Sequence, residues 1–340
     1  MKKVLSTLLI IISIFCLSGC INKGGLDIEK PSSYKLLEDG TYAAEYDVGR
    51  RYCNGIYLKI PNKYEGKKVT QLANIDGFRE AILKIKISKN ISHINLDELY
   101  ELENLREIVV SKQNKNYSSL DGILYTKQRT ELIYSPRAIS GEIRFPLVLT
   151  KIGTKAFSES RSLISIEIPE NVTEIGDYAF YKCDNLQWLS FHENCEIAEI
   201  GEYAFFNCRI LQNFSFPENC VITKINKRTF EGCDGIWYLT LPKSIKIIDE
   251  HAFYDCFALK TINFYDNSQL EEILADAFGH CTSLEEISIS NTLKFIGDRA
   301  FYNCINLKEI HYNGTAEQWE RIVIEEDNEY LNSANLNFNQ

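Results

Sequence analysis

Apolar and polar positions recur along most of this chain with a period of about two dozen residues. From Ile152 to Cys304 one phenylalanine position repeats, at Phe157, Phe180, Phe205, Phe230, Phe253, Phe278 and Phe301, each 23 or 25 residues after the last. Around it a unit reads Ile-Gly-x-x-Ala-Phe-x-x-Cys-x-x-Leu-x-x-Ile-x-Ile-Pro, as in Ile175-Gly176, Ala179-Phe180, Cys183, Leu186, Leu189 and Phe191. A period of this length marks stacked supersecondary units, because so short a piece cannot cover its own apolar face and needs a neighbour on each side. The closing Leu-x-x-Ile-x-Ile (Leu163, Ile166, Ile168; Leu259, Ile262, Phe264) alternates with the period of a strand that buries one face, so equivalent strands should align as one parallel sheet. Phe and Cys lie three apart, the spacing of one side of a helical turn, which predicts a short helix or 3₁₀ turn. Proline after the strand (Pro169, Pro217, Pro242) lacks an amide hydrogen and ends ladder pairing.

The register persists, worn, upstream. Ile94, Leu99, Leu102, Leu105, Ile108 and Val110 keep the spacing with leucine in place of both Phe and Cys, and Leu72, Phe78, Ile82, Ile85 and Ile87 keep it with a shift of two residues. Residues 111–150 interrupt the period with an expected hairpin, Ile123-Leu124-Tyr125 against Leu132-Ile133-Tyr134 across a polar Lys127 to Thr130 turn. Short strands are expected over Tyr34 to Thr70 to cover the first open end of the stack. A short helix over Ala316 to Ile324, with Trp319 on its apolar side, and the polar tail from Glu325 should cover the other.

The spacing of the leucine-like positions is that of a leucine-rich repeat. Ala-Phe-x-x-Cys-x-x-Leu followed by Ile-Pro-x-x-Val-x-x-Ile-Gly resembles the BspA-like repeats of bacterial surface proteins. Asp39-Gly40-Thr41-Tyr42 with Ile60-Pro61-x-x-Tyr64-x-Gly66-Lys67-x-Val69-Thr70 looks like that family's opening segment. Asn116-Tyr117, Asp121 to Tyr125 and Leu132 to Pro136 look like its insertion between repeats, and Tyr312-x-Gly314-Thr315-x-x-Gln318-Trp319 like its closing unit. The resemblance implies an α/β repeat solenoid, a right-handed superhelix with one parallel sheet along its inner face and short helical turns on the other side. It sets the expected division: 34–70 as an N-terminal cap, 71–312 as repeats with the insertion 111–150, and 313–340 as the closing unit. It also implies a role in attachment to host matrix proteins, host cells or other bacteria, although fold does not fix a partner.

The first residues add a location. Lys2-Lys3, an apolar run from Val4 to Phe15 and Leu17-Ser18-Gly19-Cys20 read as an export signal over 1–19 whose apolar part is short for a membrane span. Leu-x-Gly-Cys resembles the lipobox of bacterial lipoproteins, which implies acylation of Cys20; residues 20–33, with Gly24-Gly25 and Pro31, then read as anchor and linker. The alternative is an ordinary cleaved signal with an incidental cysteine. The expected product is exported, anchored to the bacterial membrane by its N-terminal lipid alone and exposed at the surface. At 340 residues the chain is long enough for two domains, but a repeat array has no single core to outgrow. Net charge is −10, and loss of Lys2 and Lys3 with the leader makes it −12. Nucleic acid is disfavoured as a partner, since a polyanion needs a basic face.

Eleven cysteines invite chemistry. Cys183, Cys208, Cys233, Cys256, Cys281 and Cys304 share one repeat position and should form a column; all point inward in parallel, and Leu102 and Ser160 fill the same slot, which favours buried free thiols over disulfides that an exported location would allow. Cys195 and Cys220, at matching positions after the strand, are the pair best placed for a bridge. There is no Cys-x-x-Cys and no His-Glu-x-x-His, and His280-Cys281 adjoin only because Cys281 belongs to the column, so no metal or other cofactor is expected. No nucleophile elbow, phosphate loop or paired carboxylates in an apolar pocket point to an enzyme. Acidic residues such as Asp177, Glu202, Asp249 and Asp298 fall at variable, solvated positions. What remains is the outer face of the strands: Ser165/Glu167, Trp188/Ser190, Asn213/Ser215, Tyr238/Thr240, Thr261/Asn263, Glu286/Ser288 and Glu309/His311. Exposed aromatics dominate interface energetics, so Trp188, Asn213, Tyr238, Thr261 and Glu286 are the candidate ligand face, for an extracellular protein or glycan. The alternatives are that the aromatics only pack on their cross-strand neighbours, or that the repeats serve as a non-catalytic envelope scaffold and spacer.

Overall fold

A computed structural model describes residues 26–49, 55–139, 141–217, 220–264 and 267–338. The leader, Cys16, Cys20 and Cys53 lie outside the described residues. The chain divides into two compact units, residues 1–127 and 128–340.

In the first unit the opening segment is itself laid down in rungs. Leu26–Ile28, Ile56–Lys59, Ile82–Ile87 and Glu107–Val110 form one parallel sheet, with Ile85 opposite Ile108 and both fully buried. Tyr42–Val48 pairs in parallel with Lys67–Gly77, which pairs with His93–Ile94; Ser33–Leu36 and Lys63–Tyr64 add antiparallel edges. One helical turn, Leu96–Tyr100, buries Leu99. The hairpin of this unit joins Tyr117–Leu120 to Ile123–Thr126 through Asp121 and Gly122, at φ 47° and 85°, the two left-handed residues that a tight hairpin with right-twisted strands requires. Buried Asn114 closes the rung before it: its side-chain amide donates to the carbonyls of Ser88 and Ile91, and its oxygen accepts from the amides of Asn116 and Tyr117.

The second unit is a β-solenoid with few helices. Its strands bury alternate residues as the period demands, with Ile166 and Ile168 inside and Ser165 and Glu167 outside. The expectation of one parallel sheet needs correction, because each repeat contributes two strands. The longer ones form two separate ladders: Ser165–Ile168, Trp188–Phe191 and Asn213–Phe214, then Tyr238–Leu241, Thr261–Phe264, Glu286–Ser290, Glu309–Asn313 and Asn335–Phe338. Two-residue strands make further ladders, from Lys151–Ile152 through Glu174–Ile175 to Glu199–Ile200, and from Lys224–Ile225 to Val323–Ile324. Both sets break at the same repeat. There Phe214 and Phe216 stand edge to face at 4.9 Å, Pro217 follows, and the Ile200 carbonyl, which in other repeats accepts a backbone amide, accepts instead from the Asn226 side chain at 2.7 Å.

The Ala-Phe-x-x-Cys segments are not helical, a second correction. In each, alternate residues close a four-residue turn while the residues between donate to the next rung: Lys155 to Asp177, Phe157 to Ala179 and Glu159 to Tyr181, at 2.7 to 2.9 Å. A helix would spend those amides within its own turn. Left-handed φ angles of 57° at Lys155 and 56° at Glu159, repeated at Tyr178 and Lys182 and onward to Arg299 and Asn303, aim them along the stack. This ladder crosses the strand break through Phe205 N–H to the Thr229 carbonyl at 2.9 Å. Behind it the fully buried phenylalanines stack face to face from Phe157 to Phe301 with ring centroids 5.2 to 5.4 Å apart.

The last rung is plugged. Buried Asn328 accepts from Phe301 N–H at 3.0 Å and donates to the Gly297, Glu325 and Glu326 carbonyls, while Asp298 N–H reaches the Glu325 carboxylate. The helix near the end is shorter than its pattern suggested. It spans Ala316–Trp319 with a Thr315/Gln318 capping box, and Val323–Ile324 returns to a strand; Trp319 packs edge-on against Tyr312 at 5.1 Å.

Candidate functional site

The backbones of the long strands fall into register as the repeat spacing requires. Ser165, Trp188 and Asn213 are ladder partners, and so are Tyr238, Thr261, Glu286 and Glu309. The face expected to be continuous is thus two ladders, interrupted between Asn213 and Tyr238. Trp188 is 44% exposed and Tyr238 54%. Among the rungs near Tyr238 the polar side chains hold one another. The Tyr238 hydroxyl accepts from Thr240 at 3.1 Å and from the Asn263 amide at 3.2 Å, and these two bonds lower its pKa below that of an ordinary phenol. Ser288 donates to the Asn263 carbonyl oxygen at 3.2 Å, and Thr261 donates to Glu286 at 3.1 Å. Glu286 also lies 3.7 Å from His311. Glu309 accepts from Asn335 and Asn337 at 2.9 and 2.7 Å, which holds its carboxyl below the usual range. Around Tyr238 the surface is therefore pre-ordered polar ground with an exposed ring standing out of it.

Sequence parity missed Trp237, 61% exposed, and Ile164, 53% exposed. Both occupy the position just before the first outward residue, where Gln187, Gln212, Lys260, Glu285 and Lys308 stand in other repeats. An apolar side chain at an otherwise polar register was the available signal.

The cysteine column is structural. The thiols of Cys183, Cys208, Cys233, Cys256, Cys281 and Cys304 each donate to the carbonyl of the preceding rung's phenylalanine at 3.0 to 3.2 Å. Cys195 and Cys220 are free as well, bonded to the Val172 and Ile197 carbonyls. Burial pushes Cys195 and Cys220 up to about 11 and Cys183 and Cys304 up to about 12, so these are weak nucleophiles. His251 is pushed down by burial, with Arg228 adding to the effect, and sits 3.9 Å from Asp276. Among the described residues no group of three His, Cys, Asp or Glu is placed to hold a metal ion.

Comparison with solved structures gives a leucine-rich repeat protein from Eubacterium ventriosum, 26% identical with a TM-score of 0.62, over 74% of this chain and 66% of that one. The pneumococcal vaccine antigen PcpA is 16% identical with a TM-score of 0.52, over 94% of this chain and 90% of that one, a likeness of fold. The chain thus spans just under two thirds of the length of the Eubacterium ventriosum protein. None of the curated proteins compared with it matches. The model of the BspA-type leucine-rich repeat region matches residues 139–223 and 198–330 in six copies. Those segments make up more than half of the sequence and run through the stacked phenylalanines and thiols described above, so this chain belongs to the BspA-type leucine-rich repeat family.

Proposed function

We propose that the protein is an exported, surface-exposed repeat protein that binds an extracellular protein or glycan through the outward face of its long strands, with Trp188 and Tyr238 as anchors and Asn213, Thr261 and Glu286 between and beside them. The observation that carries this reading is the exposure of Trp188 and Tyr238, the second of them on ground paved with polar side chains that bond to one another. Such rings lose much water and little freedom when covered. Export and a lipid on Cys20 rest on the leader alone. The scaffold reading draws on one observation, the bonding of Tyr238 to Thr240 and Asn263, which ties that ring to its own surface.

A screen of the chain against matrix proteins and glycans separates the two. Once a ligand is in hand, Trp188→Ala with Tyr238→Ala should cost at least about 2 kcal/mol of affinity. Full binding by the folded double variant would place the site elsewhere. Cys20→Ala should shift the protein from the membrane to the soluble fraction; an unchanged mass and location would sink the lipid anchor.

A further inference from the structure

The strand Ser165–Ile168 is the first of its ladder, and among the described residues no further strand pairs with it. Its backbone polarity can be read from its one partner. Ile164 and Ile168 turn their carbonyls toward the Trp188–Phe191 strand, accepting from Gln187 and His192 amides at 2.8 Å. Neighbouring residues of an extended strand aim their amide and carbonyl groups to opposite sides, so those of Ser165 and Glu167 point away, along an open edge. Beside that edge lies a groove of about 840 Å³, walled by the insertion segment at Glu142, Phe145 and Leu147 and by Ile164, Glu167 and Trp188. Leu147 is 88% exposed. Glu170 also lines it, and His192 is the one basic side chain that does.

An open sheet edge selects a backbone, because unpaired amides and carbonyls in alternation are matched only by another extended chain. The carboxylates of Glu142, Glu167 and Glu170 select positive charge, and the exposed Leu147, Ile164 and Trp188 select an apolar side chain between the charges. We propose that this edge takes an extended cationic peptide segment of a partner protein as an added strand. The site shares Trp188 with the outward face but stands on different observations, the open edge and its acidic groove.

The test uses the full chain and a synthetic peptide of alternating lysine and valine, with affinity read by fluorescence polarisation. The peptide should bind; the same sequence with every backbone amide methylated, or with glutamate for lysine, should bind about tenfold or more weakly. Ser165→Pro, which removes an edge amide hydrogen, should weaken binding to the same degree, and so should Glu167→Lys with Glu170→Lys, which decides the matter if the proline variant does not fold. Tyr238→Ala should leave peptide affinity unchanged; a loss there would move the peptide to the outward face and overturn the edge. No binding, equal binding of the methylated peptide, or indifference to both sets of edge variants overturns the proposal. Self-association of the chain that disappears in Ser165→Pro overturns it too, by making a second copy the occupant. None of these failures touches a protein or glycan bound around Tyr238.

Discussion

Each inner phenylalanine of the column lies between two others at little more than 5 Å, so removing one opens a gap that its neighbours, held by their own rungs, are poorly placed to fill. Phe230→Ala should therefore destabilise the fold by roughly 3–5 kcal/mol in denaturant unfolding. Asn263→Ala, on the solvated face, should change stability by less than about 0.5 kcal/mol. Equal losses would mean that inward and outward residues have been exchanged. The thiols make a second prediction. Their pKa values are raised in the folded protein above the ordinary 9.0 by burial, so the unfolded chain releases protons that the folded one retains. Their contribution is present in full below about pH 9 and is lost as pH rises toward 11 and 12, by about 1.4 kcal/mol per pH unit for each such thiol. Urea midpoints should fall between about pH 8 and about pH 10; a flat profile, or rapid labelling of native thiols at neutral pH, would show that the column is not sealed. At this scale the sequence was legible, because identical residues at one register declare that they share one environment. Phe157, Cys183 and Ile166 were placed inside on spacing alone.

Elements were harder to read. An apolar pair three residues apart fits a helical turn and a run of linked four-residue turns equally well. What distinguishes them is the left-handed backbone, silent at Lys155, Tyr178 and Arg228 but signalled by residue type at Asn207, Gly232, Asp255 and Asn303, the second such position of their repeats. The second strand of each repeat, such as Glu174–Ile175, is too short to show a period. The break in the ladders left its mark at one position, Phe214, where the other repeats carry Ile or Leu; Phe216 and Pro217 have counterparts in unbroken repeats, such as Phe191, Phe264, Pro169 and Pro242. Asn226 bridges this break, and its replacement by Ala should leave the buried Ile200 carbonyl without its donor, at a cost of about 1–3 kcal/mol. Hydrogen exchange should then speed up first at Tyr203, Phe205 and Asn207, whose amides cross the break. Unchanged protection there would mean that the turn ladder alone holds the two blocks together.

For the molecule as a whole, the outward face could be listed from strand parity, but the acidic groove could not. The course of residues 141–147 beside Ser165–Ile168 does show in the spacing, since Ile143, Phe145, Pro146 and Leu149 stand 23 residues before Ile166, Ile168, Pro169 and Val172; the gap left between the two segments does not. The plug at Asn328 has the widest consequence. A stack of equal rungs has no intrinsic length, and the Phe301 amide is an offer to one more rung that the Asn328 oxygen declines on behalf of the chain. A chain stopped after Ile324 keeps its last short strand but loses the acceptors of Asp298, Arg299 and Phe301. Such a chain should self-associate through its uncovered last rung, visible by light scattering, while Asn328→Ala in the full chain should show a weaker tendency to the same association. Monodisperse behaviour of the shortened chain would mean that something other than these residues sets the size of the particle. With Glu325 and Glu326, the Asn328 side chain takes the place that the backbone of a further rung would fill, so three residues do at the end of the stack what a whole repeat does elsewhere.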